Sequence, residues 1–139
     1  MRSLRANLFE IGYPEGWTDH STVTLVGPER AIFSPNVTVN QEERPTGMSV
    51  DEYVTQQRTE LQELEGFRLV DSGERRLGAA TARFHSYVWR IPQGVEIRQS
   101  QLIADYGGKL YTVTLSSRDD EWELFEPFFD LLVGNFRFL

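Results

Sequence analysis

Hydrophobic and polar residues alternate most regularly over residues 95–117, on both sides of the pair Gly107-Gly108. Alternation with a period of two is typical of a β-strand, and two glycines readily adopt the positive φ angles of a tight turn. This stretch therefore predicts a β-hairpin with a two-residue turn. The turn sets the register, which pairs Gln99 with Ser116, Gln101 with Thr114, Leu102 with Val113 and Ile103 with Thr112.

The two faces of this predicted hairpin differ in composition. One is an apolar core face with Leu102, Ala104, Tyr111, Val113 and Leu115, and the other carries Gln99, Gln101, Thr112, Thr114 and Ser116. A sheet face that meets water usually carries Lys and Glu, so a polar face without charge predicts a covering partner that forms hydrogen bonds. The alternative, equally open at this point, is that the two glutamines are ordinary solvated strand residues.

The same alternation predicts further strands at residues 8–13, 21–26, 31–40, 67–77 and 80–91, and a short one at 136–139. Pro35 interrupts the third of these strands. The strand at 80–91 has bulky apolar residues on both sides, namely Phe84 and Val88 on one and Tyr87 and Trp89 on the other. Such a strand belongs inside a sheet that is covered on both faces.

Helical spacing predicts two helices. The first begins after the capping residue Ser49, runs to about residue 64, is closed by Gly66, and carries Gln57 on its apolar stripe. The second follows the acidic run at 119–121, which suits a helix N-terminus, and a break is expected near Glu126 because Pro127 has no amide hydrogen. Its apolar face holds Trp122, Phe125, Phe128, Phe129 and Leu132. The predicted architecture is one α+β domain over residues 1–139, with a largely antiparallel sheet and two main helices.

Composition narrows the possible functions. The chain has 139 residues, a net charge of −7 and no cluster of Lys and Arg, which argues against binding nucleic acid or an anionic membrane surface. It has no cysteine, so disulfides, thiolate metal sites and thiol nucleophiles are excluded. With no apolar run typical of a signal peptide or a membrane span, we expect a cytoplasmic protein.

No catalytic or metal-binding pattern stands out in the sequence. His20 and His85 lack the further ligands and spacing of a metal site, and the acidic residues at 119–123 are explained by their helix start. The chain also lacks a nucleophile elbow and a phosphate-binding glycine loop. We therefore expect a protein that is not an enzyme and that uses neither cofactor nor metal.

Several motifs resemble those of DcrB-like domains, which have the PsbP-like fold. These motifs are Pro14-Glu15-Gly16-Trp17 followed by Asp19 and Ser21, the helix with Tyr53 and Gln57, Gly66-Phe67, and the strand Arg98-Gln99-Ser100-Gln101. The resemblance spans nearly the whole chain, and for a cytoplasmic protein of this length it is to the Eag chaperones of Rhs-type effectors of bacterial type VI secretion. It implies a curved sheet and a homodimer that shields the N-terminal transmembrane helices of an effector before export.

The resemblance also implies which residues line the chaperone groove. It places Val37, Gln57 and Gln101 there, and Thr22 and Thr24 where aliphatic residues are common. Alternation leaves open which face of the strand holding Val37 and Val39 lines the groove. The candidate partner-binding set is Thr22, Thr24, Val37, Val39, Gln57, Gln99, Gln101, Thr112 and Thr114.

The leading hypothesis is therefore a non-enzymatic chaperone that binds hydrophobic helices through the uncharged sheet face. A second hypothesis is an adaptor that binds a folded protein through an acidic surface, and a hydrolase is a third. The salt dependence of binding distinguishes the first two hypotheses, because an acidic-surface complex weakens as ionic strength rises, whereas a groove that buries an apolar helix does not.

Overall fold

The computed structural model describes residues 2–5 and 10–139. Its main feature is a six-stranded antiparallel sheet with the strand order β3-β4-β8-β7-β6-β5. The sheet strands are β3 (Thr22–Val26), β4 (Asn36–Glu43), β5 (Arg68–Leu77), β6 (Ala80–Arg90), β7 (Glu96–Tyr106) and β8 (Lys109–Arg118). Two further strands, β1 (Arg2–Arg5) and β2 (Glu10–Tyr13), form a separate pair, and the helices are α1 (Val50–Leu61) and α2 (Trp122–Gly134). The predicted α+β class with a largely antiparallel sheet is confirmed.

The central hairpin has the predicted register. Gln101 lies opposite Thr114 and Leu102 opposite Val113 across β7 and β8, and the turn glycines Gly107 and Gly108 both have positive φ. Because side chains alternate along each strand, this register separates an apolar face from a polar one over the whole sheet.

Helix α2 covers the apolar face of the sheet. Its buried residues pack on the central strands, and the joint core includes Trp122, Phe125, Phe129 and Val133 from the helix and Val37, Leu102, Ala104, Val113 and Leu115 from the sheet. Helix α1 covers part of the opposite face, where Val54 packs on Ile103 and Leu110. β6 lies inside the sheet and buries residues on both faces, as its two apolar sides predicted.

The third predicted strand and the first predicted helix both have different bounds in the structure. Residues 31–35 form a loop, closed by a hydrogen bond from Gly27 N to Pro35 O, and Ile32 has a positive φ that a strand does not accommodate. The strand then continues beyond residue 40 to Glu43, because β8 supplies partners along its full length. The predicted helix end at residue 64 is wrong, since α1 ends at Leu61 and short turns lead to Gly66.

Two predictions about helix α2 and one about the C-terminal residues are also wrong. Helix α2 runs through Pro127 without a break, because the apolar residues on either side hold the helix on the sheet although one backbone hydrogen bond is missing. Its predicted apolar face is too wide, since Phe128 is 60% exposed. Residues 136–139 form no strand, yet Phe138 packs on the core and stacks on Tyr106 with ring centroids 4.1 Å apart.

At the N-terminus, the strand predicted at residues 8–13 appears as β2 from Glu10, and residues 8 and 9 lie outside the described residues. Its partner β1 was not predicted, because four residues give too short a pattern to recognise.

A polar groove between helix α1 and the sheet

The polar side of the sheet forms the floor of an open groove with a volume of about 310 Å³, and α1 forms one wall. We call this space the polar groove. Its lining residues are His20, Asn40, Gln41, Glu42, Tyr53, Gln57, Gln101, Leu110, Thr112 and Thr114. Four of the nine sequence-predicted binding residues, Gln57, Gln101, Thr112 and Thr114, therefore meet in one place.

A row of polar side chains crosses the sheet beside this groove. Strand register places Thr24 beside Thr38, Thr38 beside Thr114, Thr114 beside Gln101, and Gln101 beside His85. Thr22 lies on the same face, where its hydroxyl donates to Asn40 Oδ1 at 2.8 Å. The two threonines of β3 thus belong to the same sheet face as the groove but lie at its outer edge.

Gln101 is held by a buried histidine. Its Oε1 lies 2.7 Å from His85 Nε2, and His85 has no exposed surface. Burial lowers the pKa of His85, the bond to Gln101 raises it, and the nearby Arg58 lowers it further. The net result is a neutral imidazole whose Nε2–H donates to Gln101, while its buried Nδ1 has no partner.

The two groove glutamines have hydrogen-bonding capacity that the protein does not use. Within the part of the chain that the structure describes, Gln57 forms no side-chain hydrogen bond, and Gln101 uses only its oxygen. Gln57 points from α1 and Gln101 from β7 into the same space. Together they offer four N–H donors and the carbonyl oxygen of Gln57 to a bound molecule.

Gln99 has a different environment. Its Oε1 accepts a hydrogen bond from Trp89 Nε1, and its Nε2 donates to Ser116 Oγ, both at 2.9 Å. Gln99 lies on the polar sheet face but outside the polar groove, and it ties β6, β7 and β8 together. The main contacts of the Gln99 side chain are therefore cross-strand hydrogen bonds.

The structure places Val37 and Val39 on the other side of the sheet from Gln101. Val37 is buried in the core beneath α2, and Val39 packs against the same core. The expectation that they share a surface with the glutamines is therefore wrong, because the residues of β4 that line the groove are Asn40, Gln41 and Glu42. Val37 instead lines an apolar cavity of about 240 Å³ between β3 and α2.

Sequence reasoning missed the contribution of Glu42 and Tyr53 to the site. The Tyr53 hydroxyl donates a hydrogen bond to Glu42, which links α1 to β4 across the end of the groove. Burial, and then Glu42, raise the pKa of Tyr53, so its hydroxyl remains a donor. Alternation along β4, considered together with the position of Tyr53 in the helix, could have indicated this pair.

The acidic run at 119–121 has structural partners. Glu121 pairs with Arg30 and Asp120 with Arg118, which explains these carboxylates without a catalytic role. Among residues 10–139, no cluster of three or more His, Asp or Glu side chains is arranged to hold a metal ion. In the polar groove, Gln57, Gln101, Thr112 and Thr114 carry uncharged hydrogen-bonding groups, and Glu42 adds a carboxylate that accepts from the Tyr53 hydroxyl.

Comparison with known families identifies the chain. The model of the DcrB family matches residues 10–123, which is most of the sequence. The chain belongs to the DcrB family. No curated protein matches this DcrB-family chain in sequence.

Solved structures of low identity share the fold of this DcrB-family protein. Protein PA94 from Pseudomonas aeruginosa is 16% identical with a TM-score of 0.84, covering 99% of this chain and 96% of that one. LpqN of Mycobacterium tuberculosis, described as involved in cell envelope biogenesis, is 13% identical with a TM-score of 0.59 and coverage of 86% and 85%. The cyanobacterial PsbP of Synechocystis is 17% identical with a TM-score of 0.52 and coverage of 90% and 82%, so the PsbP-like fold is confirmed. Of the helices in the described residues, none has the length and hydrophobicity that crossing a membrane requires.

Proposed function

We propose that this DcrB-family protein is a non-enzymatic cytoplasmic chaperone that shields the hydrophobic N-terminal helices of a type VI secretion effector before export, acting as a homodimer. The observation that carries the proposal is the convergence of Gln57 and Gln101, from a helix and a strand, on one open groove with amide groups left unused. The chaperone assignment also draws on the resemblance of the sequence to the Eag chaperones.

The groove suits an apolar helix for a physical reason. Such a helix exposes hydrocarbon surface to water, and its Ser and Thr hydroxyls need hydrogen-bond partners when that surface is covered. The amides of Gln57 and Gln101 can bond to these groups without bringing a charge into contact with the helix. The methyl groups of Thr112 and Thr114 can supply apolar contact on the floor, beneath which Leu110 is buried.

Binding of a defined helix tests this proposal. The probe is a fluorescent peptide of about 20 Leu and Ala residues with three Ser on one face and lysines at both ends, measured by anisotropy. We expect Gln101→Arg and Gln57→Arg each to weaken binding at least about tenfold, because an arginine in the groove must be desolvated against an apolar guest. Gln56→Arg is the matched control, since Gln56 is exposed on α1 and lies outside the groove lining.

Coexpression tests the chaperone role itself. The N-terminal region of a candidate effector should be recovered soluble and intact with the wild-type protein and lost with Gln101→Arg. Equal recovery with and without the wild-type protein would exclude the chaperone role, and unchanged peptide binding by both groove variants would exclude the groove.

A second candidate function is an adaptor that binds a folded protein through acidic groups. It is favoured by the Glu42 carboxylate at the groove end and by the net charge of −7. Raising NaCl from 0.05 to 0.5 M should weaken an acidic-surface complex by at least about tenfold, while a groove that buries an apolar helix should lose little affinity.

A further inference from the structure

A second pocket lies on the opposite side of the sheet from the polar groove, between α2 and strands β5, β6 and β7. Its volume is about 210 Å³, and Phe84 of β6 and Trp122 of α2 form apolar parts of its lining. Ser100 lines it from β7, next to Gln101, because neighbouring residues of a strand point to opposite faces. We call this space the Arg98 pocket, after the arginine of β7 that lines it.

Two buried serines form part of the floor of the Arg98 pocket. Ser86 of β6 lies opposite Ser100 of β7, and Leu115 of β8 follows in the same row. Both serines are 6% exposed, and the Ser86 hydroxyl donates to Ser100 Oγ at 2.9 Å. Because Ser100 accepts this bond, its own hydroxyl hydrogen has no acceptor in the described structure and can be donated to a ligand.

Arg98 is a half-buried cation without a carboxylate partner in the described part of the chain. Its Cζ lies 4.9 Å from the centroid of the Trp122 ring, which supports the guanidinium through a cation–π contact. Its Nε is buried and has no hydrogen-bond partner among the described residues. Taking a cation out of water is costly unless a partner replaces the lost hydration, so the guanidinium favours an anion that enters the pocket.

The carboxylates that line the same pocket already have partners. Asp130 Oδ1 accepts from Arg75 Nη2 at 2.9 Å, and Glu126 Oε2 accepts from Trp122 Nε1 at 2.7 Å. Asp71 Oδ1 accepts from the following backbone amide at 2.9 Å. Three carboxylates beside two arginines repel a multiply charged anion such as phosphate. A ligand with a single negative charge, placed against the guanidinium, fits this lining better.

We propose that the Arg98 pocket binds a small organic monocarboxylate with an apolar body about the size of one aromatic ring. The terminal nitrogens of Arg98 and the Ser100 hydroxyl bind the carboxylate, and the apolar body contacts the half-buried ring of Phe84. An apolar cavity of about 150 Å³ holds benzene, so a volume of about 210 Å³ leaves room for a carboxylate as well. The Arg98 pocket and the polar groove lie on opposite faces of the sheet, so binding here is independent of the proposed chaperone function.

A nuclear magnetic resonance titration of the isotope-labelled protein with phenylacetate tests this site. The indole N–H signal of Trp122 should shift, because this group is bonded to Glu126 inside the pocket. The indole N–H signal of Trp89 should not shift, because that group is bonded to Gln99 on the polar face. Phenylacetamide, which has the same shape without the charge, should bind at least about tenfold more weakly.

Substitutions of Arg98 test the role of its guanidinium. Arg98→Met removes the charge but keeps a side chain that can pack on Trp122, and it should weaken phenylacetate binding at least about tenfold. Arg98→Lys keeps the charge without the planar pair of donors and should weaken binding less. Arg76→Met is the matched control and should leave the affinity unchanged, since Arg76 is exposed on β5 and lies outside the pocket lining. Urea unfolding checks that each variant is folded, and Arg98→Lys with the amide comparison replaces Arg98→Met if that variant is not.

Three results would overturn the assignment. The first is a Trp122 signal that does not move at millimolar phenylacetate, or equal affinities of Arg98→Met and Arg76→Met. The second is tighter binding of inorganic phosphate than of phenylacetate, which would show that the pocket selects charge rather than a carboxylate with an apolar body. The third is tighter binding of a tripeptide that ends in phenylalanine with a free carboxylate, which would assign the pocket to a peptide terminus instead of a small molecule.

Discussion

The bond between Gln101 and His85 makes a specific prediction about stability. In Gln101→Met the side chain keeps its length but loses the oxygen that accepts from His85 Nε2 at 2.7 Å. His85 has no exposed surface, and its Nδ1 is already without a partner, so its ring would lose its one hydrogen bond in the described structure. An unsatisfied buried polar group costs about 1–3 kcal/mol.

We expect the lower part of that range, about 1–2 kcal/mol of unfolding free energy, because Gln101 is half-buried and water can reach the position it leaves. The assay is urea unfolding followed by tryptophan fluorescence, at a pH where His85 is neutral. Gln57→Met is the matched control, since Gln57 lines the same groove without a hydrogen bond in the described residues, and it should change stability by less than about 0.5 kcal/mol.

A double-mutant cycle assigns the loss to the pair. His85→Phe keeps an aromatic ring against Tyr87, whose centroid lies 5.7 Å from that of His85. In the His85→Phe background, Gln101→Met should lower the free energy of unfolding by at least about 1 kcal/mol less than it does in the wild type. The reasoning is refuted if Gln101→Met is as stable as the wild type, or if its cost is the same with and without His85.

Two further predictions concern pH and the core. Because the folded-state pKa of His85 is lowered, the unfolded chain binds a proton more readily, so stability should fall as pH drops below about 6.5, by up to about 1.4 kcal/mol per pH unit. His85→Phe should flatten this dependence between pH 8.0 and 5.5 in urea unfolding, and an unchanged slope would show that other groups cause it. Phe129→Ala should lower the free energy of unfolding by about 3–5 kcal/mol, because Phe129 is 4% exposed and packs on Trp122 with ring centroids 5.2 Å apart. Phe128→Ala should lower the free energy of unfolding by less than about 1 kcal/mol, because the neighbouring Phe128 is 60% exposed. Equal losses in the two variants would contradict this reasoning from burial.

The local sequence pattern predicted the structure correctly where strands that are adjacent in sequence pair with each other. The hairpin of β7 and β8 follows from Gly107-Gly108 and strict alternation, and its register is the predicted one. The composition of its polar face likewise pointed to Gln101, Thr112 and Thr114, which line the polar groove. These features depend on turn geometry and period, which a short stretch of sequence contains.

The predictions failed where contacts between distant parts of the chain outweigh local sequence preferences. Pro127 breaks no helix because burial of residues on both sides outweighs one lost hydrogen bond, and strand β4 extends to Glu43 because β8 lies beside it. The orientation of β4 does not follow from alternation alone, since Val37 and Thr38 are both acceptable on a covered face.

The sequence by itself therefore determined the fold class, the central hairpin and the presence of a polar face without charge. Only the tertiary structure decided which strands join that face, that Gln57 and Gln101 share one groove, that Gln101 is bonded to a buried histidine, and that Val37 faces α2. The physical reason is that alternation and turns are local, whereas the facing of a strand and the meeting of a helix with a sheet are set by packing across the whole core.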